Sequence, residues 1–187
     1  MKQVIMVTGN MGKWKIASDI FRKYNVELLH HKMDTPEIQS FDVEEVSKYS
    51  AQYAAKKLNK PVIKSDVGYY ISSLNGFPGP FLRYVNHYLT SEEVLKIMRG
   101  KKDRKIVLKE CLTFASPTGE IKQFINEEIA TISTKAYGEG TTFDRIVVFK
   151  GDKLPKSMNT DEMNYKHFEE TLVIYDKMAK YLEGVDN

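Results

Sequence analysis

Three short stretches of this chain combine residue types suited to work on an anionic ligand. The first is Thr8-Gly9-Asn10-Met11-Gly12-Lys13, a polar turn between the apolar run Val4-Ile5-Met6-Val7 and a helical pattern. Free backbone N–H groups and the positive end of a helix dipole collect at such a junction, and Lys13 adds a full charge, so the turn suits phosphate. The spacing is not that of a Walker loop, and the same residues also read as a plain strand-to-helix turn with Asn10 as N-cap. The second is the pair Glu37 and Asp66, carboxylates in turn regions that each follow an expected strand, where open α/β sheets place ligand groups. Their oxygens suit a hard cation such as magnesium, whose shell a phosphate substrate completes, and each acid alone also reads as a solvated loop residue. The third is Phe77-Pro78-Gly79-Pro80-Phe81-Leu82-Arg83-Tyr84, a rigid loop running into an aromatic segment with a guanidinium, or simply a turn.

Other reactive types point nowhere in particular. Cys111, the single cysteine, lies beside Leu108, Leu112 and Phe114 and reads as a small core residue. The histidines at 30, 31, 87 and 167 are not spaced as a helical zinc pair, so zinc chemistry is not expected.

The elements that must position these residues follow from periodicity. Val4 to Val7 reads as a buried strand, and Trp14, Ala17, Ile20, Phe21 and Tyr24 recur at helical spacing over about Gly12 to Lys23. Val26 to Leu29 is a second strand, and Asp34 to Ser40 a polar loop in which Pro36 disfavours helix. A long helix follows with Val43, Val46, Tyr49, Tyr53 and Leu58 as its stripe and Asp42, Glu44 and Glu45 at its positive end, closing before Pro61. Val62-Ile63 and Tyr69-Tyr70-Ile71 read as strand or hairpin material with Asp66 at the break and Gly68 lending backbone freedom. Ser91 to Arg99 is a short helix with capping chemistry in Ser91-Glu92-Glu93, while Lys105–Ala115 and Glu120–Ser133 form a hairpin across Ser116-Pro117-Thr118-Gly119. Ile146 to Phe149 is a last strand, and His167 to Leu182 a last helix. Strand-helix alternation at the front and a long hairpin later predict an α/β or α+β fold on a mixed sheet.

Composition bounds the rest. The 187 residues, 42% hydrophobic and 28% charged, suit one globular domain over 1–187 with a real core. With 28 basic against 25 acidic residues, the net charge of +3 falls short of a nucleic-acid binder's footprint. No apolar stretch reads as a signal peptide or a membrane span, so no membrane partner and a cytoplasmic location are the expectation.

Taken in order, Thr8-Gly9-Asn10-Met11-Gly12-Lys13, Pro36-Glu37-Ile38-Gln39, Ser65-Asp66-Val67-Gly68 and Leu74-Asn75-Gly76-Phe77-Pro78-Gly79-Pro80 resemble the inosine triphosphate pyrophosphatase family. The similarity is firm over about Lys2 to Arg99 and weaker beyond, through Phe143-Asp144 and the final helix. The resemblance implies an elongated mixed sheet flanked by helices, with two lobes around a nucleotide cleft, and commonly a homodimer. It also implies hydrolysis of non-standard purine triphosphates such as ITP, dITP and XTP to monophosphate and pyrophosphate, with Mg2+ or in its place Mn2+. Carried over by position, Thr8, Asn10 and Lys13 hold the triphosphate, Glu37 and Asp66 hold the metal, and Asp66 orients or deprotonates the attacking water. Phe143 and Asp144 fall where the family contacts the base, and so does His167 when the final helix is matched through Lys166-His167-Phe168, whereas an ungapped match places Glu169-Glu170-Thr171 there.

Departures cluster at both ends of the expected ligand. An acid that the family usually carries shortly after the loop lysine is replaced by Ile16 or Ala17, a hydroxyl after the aspartate by Val67, and a second acid by Ser65. The family's aromatic-Gly-aromatic-Asp segment corresponds to Thr141-Thr142-Phe143-Asp144, which lacks the leading ring, and its Ser-His-Arg signature is absent. Base–aromatic stacking is worth about 1–3 kcal/mol, so tight purine binding needs a replacement, for which Tyr137, Tyr165 and Arg83 are the candidates. Two other readings therefore stand beside the leading one: a nucleotide-binding protein that has lost efficient catalysis, and a Maf-type pyrophosphatase acting on modified pyrimidine nucleotides.

Overall fold

The apolar run near the amino terminus becomes β1 (Lys2–Val7), in which Val4 and Met6 are wholly buried. After it come α1 (Met11–Arg22), β2 (Val26–His31), α2 (Val43–Leu58), β3 (Val62–Ile71), β4 (Pro78–Gly79), α3 (Leu82–Tyr88) and α4 (Ser91–Ile97). The chain then runs through β5 (Lys105–Ala115), β6 (Ile121–Ile132), β7 (Val147–Phe149) and α5 (Asp161–Gly184). The computed structural model describes residues 1–184, apart from the side chains of 161, 162 and 164–171. The mixed α/β architecture expected from the sequence is the one the chain adopts.

Among the described residues the strands form one sheet in the order β2-β1-β3-β5-β6-β7, with β4 pairing β3. β1 runs parallel to both β2 (Lys2↔Val26 through Val7↔His31) and β3 (Ile5↔Val62, Met6↔Ile63). Burial on both faces explains why β1 reads as a continuous apolar run rather than an alternating one. By contacts the chain divides into two compact units, residues 1–66, 110–126 and 170–187 in the first and 67–109 and 127–169 in the second. The first unit has its main core in Val4, Met6, Phe21, Leu112, Phe114 and Tyr175, and the second in Ile71, Met98, Ile106, Ile132, Phe143 and Ile146.

Local chemistry sets the helix ends. α2 starts because the Asp42 carboxylate accepts the Glu44 N–H, with Glu44 and Glu45 against the positive dipole end, and it stops at Asn59 in the left-handed region. Beyond Val43 and Val46 its buried face is made of small residues, Ser47, Ser50, Ala51, Ala54 and Ala55, so it lies close to its neighbours. Ser47 Oγ meets the Cys111 carbonyl at 3.1 Å and Thr113 Oγ1 at 2.8 Å. Cys111 is buried, as its neighbours in sequence predict.

Five expectations need correction. β3 runs unbroken through Asp66, which therefore stands in the middle of a strand and not in a turn. The strand survives there because the polar side chains of Lys64, Ser65 and Asp66 all find partners or a half-open position in place of a loop's solvation. Gly68 serves close approach rather than an unusual backbone angle, since a Cβ there would lie 2.8 Å from the Tyr70 ring. The cap of α4 is Thr90, not Ser91: Thr90 Oγ1 accepts the Glu93 N–H while the Glu93 carboxylate takes the Thr90 N–H, a complete capping box. Finally, Leu82 to Tyr88 is helical, and the last helix begins at Asp161, well before His167. No helix among the described residues is long and apolar enough to cross a membrane.

Candidate functional site

The turn after β1 is built as its sequence suggests. Thr8 Oγ1 accepts the Asn10 N–H at 3.1 Å, and Asn10 Oδ1 accepts the Lys13 N–H at 2.9 Å, making Asn10 the N-cap of α1. The plain-turn reading and the phosphate reading are compatible, because one cap bond leaves other first-turn N–H groups directed outward. Two further bonds anchor the turn to β2: His30 Nε2 lies 2.8 Å from the Thr8 carbonyl oxygen, and Trp14 Nε1 donates to the Leu28 carbonyl at 3.0 Å.

Lys13 does not wave in solvent. Its ammonium donates to Ser65 Oγ at 2.9 Å and to Glu110 Oε1 at 2.5 Å, and it lies 6.0 Å from the centre of the Tyr175 ring. Tyr175 donates its hydroxyl proton to the same Glu110 oxygen at 3.1 Å. Burial works against the Lys13 charge, but the Tyr175 oxygen and the Glu110 carboxylate facing it outweigh burial and hold its pKa above the usual lysine value. Burial and Glu110 push the Tyr175 phenol up as well, against the pull of Lys13. Lys13 thus stays charged throughout the physiological range.

Asp66 sits one residue beyond Ser65 on an extended strand, so the two side chains project to opposite faces of the sheet. Ser65 meets Lys13, whereas Asp66 Oδ1 accepts from Lys64 Nζ at 2.8 Å. In the register Met6↔Ile63, β1 runs out at Val7, opposite Lys64, so the turn from Thr8 onward lies level with Ser65 and Asp66. That is the carboxyl end of a parallel strand, the position where such sheets gather ligand groups. Glu37 lies in the exposed loop between β2 and α2, which Ser50 Oγ fastens by donating to the Pro36 carbonyl at 3.2 Å.

A divalent cation can be tested against these groups. The second Asp66 oxygen, Oδ2, is buried and has no hydrogen-bond partner among the described atoms. A buried carboxylate oxygen without a partner is costly, and a hard cation is the kind of group that would satisfy it. Among the described residues no three His, Cys, Asp or Glu side chains gather into a cage. Magnesium needs none, since it is commonly held by one or two carboxylates with water and substrate phosphates. The donors fit magnesium.

The second unit places the residues expected at the base differently. Phe143 is almost wholly buried and packs edge-on against Tyr69 at 5.4 Å, so it is a core residue and presents no open face to a purine. Asp144 accepts from Thr141 N–H and Oγ1 at 3.2 and 2.7 Å and from Lys156 Nζ at 2.9 Å. Burial would raise its pKa, but Lys156 and the Thr141 donors hold it below the usual carboxylate value. Tyr137, about a third exposed, is fixed beside it by its N–H to the Arg145 carbonyl and by Ser157 Oγ donating to the Tyr137 carbonyl. The side chains of His167 and Tyr165 lie outside the described residues. Phe143→Ala is accordingly expected to cost about 3–5 kcal/mol of stability, like other large core truncations, and chemical denaturation measures it. A variant of unchanged stability with selectively weakened purine binding would return Phe143 to the base site.

Sequence reasoning missed Glu110, Tyr175 and Lys64. Glu110 had one available signal: an acid on a mostly apolar strand, flanked by Leu108 and by Cys111-Leu112, needs a partner if it turns inward. Tyr175 lies within the last helix, and nothing in the sequence pairs it with residue 110.

The Ham1 family model matches residues 4–168 of this chain. The dITP/XTP pyrophosphatase of Methanopyrus kandleri is 36% identical over 151 residues, covering 80% of each chain. That of Methanosarcina mazei is 36% identical over 152 residues, covering 81% of this chain and 83% of the relative. In structure, the Staphylococcus aureus Ham1 protein superposes with a TM-score of 0.79 over 98% of this chain and 99% of its own, at 24% identity. A match along most of the sequence shows that the chain belongs to the Ham1 family.

Proposed function

We propose that this protein hydrolyses non-standard purine nucleoside triphosphates, of the dITP, ITP or XTP kind, to the monophosphate and pyrophosphate with magnesium or manganese. The observation that carries the reading is Asp66, a half-buried carboxylate within β3, with one oxygen paired to Lys64 and the other buried without a hydrogen-bond partner among the described atoms, level with the phosphate turn. The relatives named dITP/XTP pyrophosphatase supply the substrate class.

In this reading the first-turn amides of α1 and the Thr8 and Lys13 side chains hold the triphosphate, and Asn10 keeps the turn in shape as its cap. Asp66, held in orientation by Lys64, accepts the proton of the water that attacks the α-phosphorus. Glu37 and Asp66 would hold the ion, which when bound supplies charge neutralisation at the phosphate oxygens. By the resemblance Asp144 and His167 are the base-contact positions, and Tyr137, partly exposed where Phe143 is buried, is the candidate stacking ring. The assembly is a homodimer whose interface draws on Phe81 to Leu89, where Tyr84 and Tyr88 are exposed and Val85 is buried. A monomeric mass by light scattering at micromolar concentration contradicts that last element.

A pyrophosphate-release assay over dITP, ITP, XTP, GTP and ATP tests the reading, with dITP and XTP expected to be the best substrates. No turnover of any, with nucleotide still binding, leaves a nucleotide-binding protein, which the burial of Phe143 and the pairing of Lys13 with Glu110 would favour. Faster turnover of modified pyrimidine triphosphates moves the protein to Maf-type specificity. Glu37→Gln is expected to lower activity and to recover most of it in excess magnesium, since an exposed loop carboxylate contributes affinity for the ion and little else. Failure of magnesium to restore activity gives Glu37 a direct part in the chemistry.

A further inference from the structure

The Lys13 ammonium is already spoken for. Glu110, Ser65 and Tyr175 come from three different elements, β5, β3 and α5, and close around it until about a sixth of its side chain is exposed. Glu110 is itself almost fully buried and receives two donors on one oxygen, from Lys13 and from Tyr175. Next to Ser65 on β3, Lys64 is in turn neutralised by Asp66, so both lysines beside this turn stand paired with a carboxylate. A triphosphate approaching Lys13 therefore meets a neutral pair, and it must take the ammonium from a carboxylate that holds it at 2.5 Å.

We propose that Glu110 is a positioning residue that holds Lys13 in reserve and competes with the phosphate chain for it, so that phosphate alone binds weakly. This rests on the reading that Lys13 is a phosphate ligand. The geometry supports competition over simple support, because Glu110 and a phosphate oxygen offer the ammonium the same kind of contact, a charge-assisted bond from an anionic oxygen. Tyr175 steadies the carboxylate by donating to it, and Ser65 keeps the ammonium at the level of the turn. Glutamine at 110 keeps the shape and an accepting oxygen while removing the competing charge, which leaves phosphate as the natural counter-ion for Lys13.

Calorimetric titration of inorganic tripolyphosphate into the intact protein, with a chelator and no divalent metal, separates the possibilities. Glu110→Gln is expected to bind about tenfold more tightly than the unmodified protein, the scale of one charge-assisted contact. Lys13→Met is expected to bind more weakly, and Lys13→Met/Glu110→Gln to match Lys13→Met, because Glu110 acts only through Lys13. In steady-state assays Glu110→Gln should lower KM for dITP more than it changes kcat. Should Glu110→Gln not fold, Glu110→Asp, which keeps the charge but reaches less far, should shift affinity the same way by a smaller factor. Unchanged or weaker tripolyphosphate binding in the folded Glu110 variants, with Lys13→Met still weakened, overturns the proposal and leaves the phosphate reading intact. Lys13→Met binding as well as the unmodified protein overturns the phosphate reading itself.

Discussion

Asp66→Asn is expected to lower turnover of dITP by about 10²-fold or more, the scale of losing a positioned base. Asparagine keeps the outline of the side chain but cannot accept the proton from water and offers a cation no charge. Excess magnesium should not restore the activity, in contrast to Glu37→Gln. The substitution also strands Lys64, whose ammonium sits 2.8 Å from the carboxylate with little exposure on either side. Removing one partner of a buried pair costs about 3–5 kcal/mol, and this pair, not fully sealed, belongs near the low end. Lys64→Met/Asp66→Asn should recover much of that stability without recovering turnover, which separates lost chemistry from a weakened fold. Near-normal turnover in the single variant would remove Asp66 from the mechanism.

The other large effect is at Lys13. Lys13→Met is expected to weaken nucleotide binding by about 1.5–3 kcal/mol through the phosphates, equally for every base, because the ammonium sees only what all triphosphates share. The same change leaves Glu110 buried without its counter-charge, at about 3–5 kcal/mol of stability, and Lys13→Met/Glu110→Gln should return most of it. Thermal denaturation of the three variants measures the second effect, and KM across dITP, XTP and GTP the first. A marked change in the ratio of dITP to GTP turnover would mean that Lys13 reads the base.

How much of this was legible in the sequence depends on whether a residue acts through its neighbours in the chain or across the sheet. The turn from Thr8 to Lys13 was legible because its chemistry is local: a strand, an N-cap and a helix start within a few residues. The acidic start of α2 was legible for the same reason, although Asp42, read as one of its dipole-favoured acids, turns out to be the cap. Asp66 was placed in a turn because Lys64-Ser65-Asp66 interrupts an apolar pattern, and β3 tolerates the interruption only because Lys64 pairs with Asp66 and Ser65 with Lys13, the second contact spanning 52 positions. Glu110 was passed over because its partners lie 97 and 65 positions away, on α1 and α5. Phe143 was assigned to the base by its motif, whereas packing against Tyr69 in the second core decides its role. Motif reading gave the kind of site, and contacts between distant strands and helices decided which side chains are free to serve it.

The most direct test is to hydrolyse dITP in oxygen-18-labelled water with magnesium and to analyse both products by mass spectrometry. Water activated beside Asp66 and aimed at the α-phosphorus predicts equal amounts of dIMP and pyrophosphate, with the label in dIMP alone. Label in pyrophosphate, release of orthophosphate with dIDP, or no products under these conditions would contradict the account.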